Sequence, residues 1–172
     1  MPNTFELIAS STVGAGGAAS ITFSSIPNTY TDLSIALSVR SGASFTRRVL
    51  ALTFNGSTND YSDRYLLGNG SAASSGSDSY PQSNILIWDA PAATSTANTF
   101  SNINVYIPNY ASTSFYKSVS NDGAAEDNAA AGILGLAAGL YSLNTAISSI
   151  SFSVSGNFVQ YSTAYLYGVK NA

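Results

Sequence analysis

Residues 32–40, Asp32-Leu33-Ser34-Ile35-Ala36-Leu37-Ser38-Val39-Arg40, alternate in hydropathy along their whole length. A period of two belongs to an extended strand. It places Leu33, Ile35, Leu37 and Val39 on one face and Asp32, Ser34, Ser38 and Arg40 on the other. The pattern returns in 103–107 (Ile103, Val105, Ile107) and in 150–155 (Ile150, Phe152, Val154). Alternation of this kind marks antiparallel strands with one buried and one wet face. Residues 5–10, 20–23, 48–54, 84–88, 115–120 and 162–169 read as further strands. Turn signals separate them, among them Gly14-Ala15-Gly16-Gly17 and the dipeptide Asn55-Gly56.

Helix is weakly signalled. Residues 122–131 can hold one turn, ended by Gly132. The run 133–141 is apolar without alternation and contains Gly135 and Gly139. Glycine costs about 1 kcal/mol in a helix interior, so this run reads as a strand carrying a bulge. The expectation is an all-β chain: an antiparallel β-sandwich, jelly-roll-like, of nine or ten short strands. Residues 1–172 form one domain. Two segments, 61–82 and 90–98, read as long surface loops, the first rich in Gly and Ser, the second in Pro, Ala and Thr.

Composition narrows the function. The chain has 6 Lys and Arg against 9 Asp and Glu, a net charge of −3, and only 9% charged residues. Six scattered cations do not make the basic stripe that nucleic acid requires. No run reaches the ~18 apolar residues of a membrane helix, and Met1-Pro2-Asn3-Thr4 does not open a secretory signal. Low charge weakens self-repulsion and favours association. There is no Cys and no His, which removes disulfides, thiolate nucleophiles and the commonest general base and metal ligand.

The remaining candidates for chemistry are few. Lys117 lies in an alternating pattern with Phe115 and Val119 that allows an inward position, yet a rim position is the expectation. A hydrolase acting on polysaccharide needs two carboxylates converging in a groove. The pairs Asp60/Asp63 and Glu126/Asp127, together with Asp89 and Asp122, are the candidates, and their Asn-rich contexts favour turn capping instead. The same clusters, with Asn55, Asn59 and Asn128, offer oxygens to a hard cation, without the spacing of a calcium loop. No metal or cofactor is expected. Arg47-Arg48 reads as a strand-edge pair. Large aromatics near loops suit a protein interface or the apolar faces of sugars. Tyr61, Tyr65, Tyr80, Trp88, Tyr110 and Tyr141 are the candidates, and a glycan site requires Trp88 or Tyr61 to stand exposed beside Asn and Asp.

Several segments carry a resemblance. They are Ile21-Thr22-Phe23-Ser24-Ser25-Ile26-Pro27 leading to Tyr30-Thr31-Asp32-Leu33, and Leu52-Thr53-Phe54-Asn55-Gly56-Ser57. Leu67-Gly68-Asn69-Gly70-Ser71, Ile107-Pro108-Asn109-Tyr110-Ala111, Ala138-Gly139-Leu140-Tyr141-Ser142 and Leu166-Tyr167-Gly168-Val169 complete the set. Together they resemble a family of virion structural proteins of tailed bacteriophages, of the aquatic and cyanobacterial type. The resemblance implies a non-enzymatic protein on the particle exterior, made in the host bacterial cytoplasm. A capsid decoration or cement protein bound to the major capsid protein lattice is the first expectation. A tail-fibre or baseplate module binding host glycans is the alternative. Either implies other virion proteins as partners and a homo-oligomer, a trimer among its forms.

Overall fold

The computed structural model describes residues 4–128 and 132–170. Among them are twelve antiparallel strands and no helix. They are β1 (Phe5–Thr12), β2 (Ala18–Phe23), β3 (Asp32–Ser38), β4 (Arg47–Phe54), β5 (Tyr61–Gly68), β6 (Ala73–Gln82), β7 (Ile85–Pro91), β8 (Asn102–Ile107), β9 (Lys117–Ala125), β10 (Ile133–Tyr141), β11 (Ile150–Phe158) and β12 (Thr163–Val169). Two sheets face each other as a β-sandwich. The larger has the order β1-β12-β3-β8-β9-β10-β5-β6 and the smaller β2-β11-β4-β7.

The pairing is nested. Leave out β5, β6, β9 and β10 and eight strands remain. The first pairs with the last (β1·β12), the second with the seventh (β2·β11), the third with the sixth (β3·β8) and the fourth with the fifth (β4·β7). Each successive pair lies in the opposite sheet, as if one long hairpin had been rolled up. The two remaining hairpins extend the larger sheet beyond β8, and β7 packs over β9, β10 and β5.

The core is what the alternation requires. Leu33, Ile35 and Leu37 of β3 face Leu50, Leu52 and Phe54 of β4 and Ile150 and Phe152 of β11 across the two sheets, all buried. Burial at about 25 cal/mol per Å² of apolar surface drives this closure. Phe54, Tyr61 and Tyr141 form an aromatic cluster at one end. The Tyr61 and Tyr141 rings stack at 5.3 Å, and Phe54 meets Tyr141 edge-on at 5.3 Å. The Asn55-Gly56 turn forms as expected: both residues have positive φ, 52° and 71°, and Ser57 N–H donates to the Phe54 carbonyl at 2.9 Å.

Several expectations are corrected. Residues 61–82 are not a loop but the hairpin β5–β6, turned at Asn69, whose Oδ1 accepts from Ser71 N at 3.1 Å and Ala72 N at 2.8 Å. The alternation of β5 is hidden because Asp63 points inward and Leu66 outward. β6 has almost no apolar side chains and is a strand only through its pairing with β5. Residues 90 and 91 end β7, and the rest of 90–98 wraps around a buried guanidinium. Arg40 donates to the carbonyls of Ala92 (2.7 Å), Ser95 (3.2 Å), Thr96 (2.8 Å) and Thr99 (3.0 Å). Arg40 and Asp32, expected on the wet face, are both buried. Residues 122–125 belong to β9, not to a helical turn, and 129–131 lie outside the described residues. β10 has no bulge: its register is continuous with both neighbours.

Candidate interaction surface

Strand geometry decides the fate of the aromatic candidates. Tyr61 and Tyr141 are core residues. The Tyr61 hydroxyl accepts from Phe54 N–H at 2.7 Å, and burial pushes its pKa up to about 12. Tyr110 is also fully buried, its hydroxyl donating to the Pro27 carbonyl. Trp88 is the extra residue of a β-bulge: Val49 pairs with Asp89 and Leu50 with Ile87, so Trp88 has no partner of its own. The bulge turns its ring inward, as bulges do when they re-aim a side chain. The indole lies across Gly123 and Gly135, which are directly opposed on β9 and β10, and a Cβ at either glycine would overlap it. Tyr65 is half-buried, its ring over Gly76 across the β5–β6 pair. Of the six aromatics only Tyr80, 58% exposed, offers its ring to solvent. The expected exposure of Trp88 or Tyr61 is therefore overturned. An apolar recess of about 170 Å³ lies beside Trp88, lined by Val49, Tyr65, Leu67, Leu86 and Ile133 among others.

The carboxylates are mostly held apart. Asp60 accepts from the Ser57 hydroxyl. Asp122 accepts from Asn104 Nδ2 at 3.3 Å, and Glu126 accepts from the backbone N–H groups of Asp127 and Asn128. Asp127 is buried and accepts from Ser95 Oγ at 2.7 Å. Asp89 pairs with Arg47 at 2.9 Å, and burial raises its pKa. Arg47 thus bridges β4 and β7, while the Arg48 guanidinium lies 3.2 Å over the Phe45 ring. The fold does bring Asp63 opposite Asp78, a pair that spacing in sequence conceals. Asp63 is buried. Its Oδ2 accepts from Leu86 N–H at 2.9 Å and its Oδ1 has no partner. Burial first, and Asp78 in addition, push its pKa up. Among the described residues no three acidic side chains gather as a metal site would require.

Lys117 is not at the rim. Its position on β9 is inward and fully buried, and Nζ donates to the carbonyls of Thr145 (2.5 Å) and Leu143 (3.3 Å). Burial lowers its pKa. With two backbone carbonyls as acceptors and no hydroxyl bonded to it, its observed role is to tie the 143–145 segment to the sheet.

The surface that sequence reasoning missed is the outer face of the larger sheet around β10. Leu134, Leu136, Ala138 and Leu140 all point away from the smaller sheet. Leu66 of β5 stands directly opposite Leu136. Leu66, Leu134 and Leu136 are 52%, 65% and 59% exposed. The available signal was the run 133–141 itself. A strand apolar on both faces reads as continuous hydropathy, and in folded proteins such strands are covered on both sides.

Fold and surface together define an antiparallel β-sandwich with an exposed apolar face. Compared with protein-family models, with curated proteins and with solved structures, the chain matches none of them.

Proposed function

We propose that this chain is a structural element of a bacteriophage virion, carried on the particle exterior, with a capsid decoration or cement role placed first. The nested strand pairing carries the proposal. Four pairs, each inside the last and alternating between two sheets, support reading the sandwich as a jelly roll, a fold that viral shells use repeatedly. Here it holds two inserted hairpins, β5–β6 and β9–β10. The step from fold to role is by analogy. The surface supports it: charge is scarce, and Phe5, Leu7, Phe45, Phe115, Tyr116 and Tyr161 are exposed besides the leucines. On this reading the protein acts by burying apolar and Tyr-rich surface against the capsid lattice. A standard contact of about 1,600 Å² repeated over a shell turns modest affinity into avidity. The absence of His and Cys and the separate tethering of most carboxylates support a non-enzymatic role.

Immunogold labelling of gradient-purified particles, paired with quantitative mass spectrometry, tests the proposal. Gold over the head, and a fixed ratio to the major capsid protein, is the expected result. Loss of the chain from particles during purification overturns it. One observation favours the alternative of a tail appendage that binds host glycans. Tyr80 is exposed in a groove of about 450 Å³ that also holds Arg64, Asp78 and Ser118. Gold confined to the tail selects that alternative.

A further inference from the structure

We propose that the outer face of β10 is the contact between two copies of this chain, related by a two-fold axis running roughly along that strand. The inference goes beyond the virion reading and holds for the purified protein with or without a particle.

Three observations converge. First, β10 is an interior strand of its sheet with an unbroken apolar outer face, Leu134, Leu136, Ala138 and Leu140, extended sideways by Leu66. Its neighbour β9 carries a polar outer face, Ser118, Ser120 and Asp122, and beyond β5 the edge strand β6 carries Ser75 and Ser77. The apolar stripe is thus a local feature of β10 and not of the whole sheet.

Second, the charges around the stripe are opposite and unspent. Five of the six cations have partners within the chain. Arg40 holds carbonyls, Arg47 holds Asp89, Arg48 covers Phe45, Lys117 holds carbonyls and Lys170 pairs with Glu6 at 2.9 Å. Arg64 alone, among the described residues, has no hydrogen bond, ion pair or ring contact. It is exposed on the outer face of β5, on one side of the stripe. Asp122 is exposed on β9, on the other side, and its one neighbour is the neutral amide of Asn104.

Third, the register makes this arrangement self-complementary. Asp122 stands opposite Leu136, and Arg64 stands opposite Ala138, one row further along β10. The two charges therefore flank the stripe on opposite sides, one row apart. A two-fold axis along β10, midway between two facing sheets, exchanges the β5 side with the β9 side. It packs leucine stripe on leucine stripe and brings Arg64 of each copy over the β9 side of the other, one row from Asp122. Packed sheets lie about 10 Å apart, a gap that an Arg and an Asp reaching from opposite sides can close. An isologous contact of this kind closes as a dimer. A partner of unrelated chemistry gives no reason for opposite charges to flank the stripe on its two sides.

Sedimentation velocity over a concentration series tests the proposal, with circular dichroism to establish that each variant folds. The wild type is expected at twice the 17.7 kDa of one chain. Arg64→Asp and Asp122→Arg each place two like-charged pairs in the contact. Each is expected to raise the dissociation constant roughly tenfold or more. Mixing the two variants restores both opposite pairs, so the heterodimer is expected to regain wild-type affinity. Leu136→Asp is expected to leave a folded monomer. A wild type that stays monomeric overturns the proposal, as does one that forms trimers or open assemblies. So does a pair of charge variants that associate like the wild type, or a mixture that recovers nothing.

Discussion

The eight nested strands and the four inserted ones differ in what they bury and what they expose. In the nested set the inside is Leu33, Ile35, Leu50, Phe54 and Phe152, and the outside carries Ser34, Ser38, Asn102 and Asn104. The inserted set keeps polar groups within. Asp63, Lys117 and Asn121 point inward, and Leu66, Leu134, Leu136 and Leu140 point out. Of six buried side-chain polar atoms without partners among the described residues, four lie at the seam where β7 meets these strands, Asp63 Oδ1, Trp88 Nε1 and both amide atoms of Asn121, and the other two are Arg48 Nε and Asn84 Oδ1. Leaving a buried donor or acceptor unpaired costs about 1–3 kcal/mol. The nested strands bury two carboxylates, Asp32 and Asp89, and each has a partner, the Tyr106 hydroxyl and Arg47. The inserted strands give up some stability inside and present an apolar face outside, the face on which the proposed dimer contact rests.

The largest effect that separates the two regions lies in the aromatic cluster. Phe54→Ala is expected to cost about 3–5 kcal/mol, read by denaturant unfolding, since the cavity cannot close around two fixed Tyr rings. Next comes the seat of Trp88. Gly135→Ala puts a methyl into the indole, and is expected to cost about 1–3 kcal/mol. Trp88 is the single Trp of the chain, so its emission should shift to the red as the ring is displaced.

Acidity sharpens the comparison further. The folded pKa of Asp63 is raised above its ordinary 3.8, mainly by burial. A carboxyl with a raised folded pKa is at its most favourable below the unfolded value, and the folded state loses that advantage as pH climbs through the folded value. Asp63→Asn keeps an acceptor for Leu86 N–H and carries no charge. The variant is expected to gain on the wild type as pH rises from about 4 to 7, and thermal unfolding across that range measures it. Equal pH profiles would mean that the Asp63 side chain is solvated. The smallest effect is on the outer face. Leu66→Ser is expected to change the monomer's stability by no more than about 0.5 kcal/mol while weakening self-association. If it unfolds the monomer, the face is part of the core and the contrast fails.

The division between regions also decides what the sequence revealed. All ten strands read from alternation or apolar runs are present, because in most of them one face meets the core and the other meets water. β5 and β6 escaped notice for physical reasons. β5 inverts the rule by burying Asp63 and exposing Leu66, and β6 is held by backbone pairing, which leaves no mark on side-chain pattern. The six aromatic candidates lie near turn-like segments of the sequence. For Trp88 one bulged residue reversed the outcome, and a bulge depends on register between strands distant in sequence. The alternation around Lys117 allows an inward position, and the side chain is inward. Burying its charge carries a cost, which the carbonyls of Leu143 and Thr145 offset. The leucine stripe was written in 133–141, where alternation is missing.

The central claim is that this stripe is covered in solution. Hydroxyl-radical footprinting of the wild type at dilute and at high concentration tests it directly. The side chains of Leu66, Leu134 and Leu136 are expected to oxidise more slowly as the protein is concentrated, while Phe115 and Tyr161, comparably exposed elsewhere, keep a constant rate. Leucines that oxidise at the same rate at every concentration would contradict the claim.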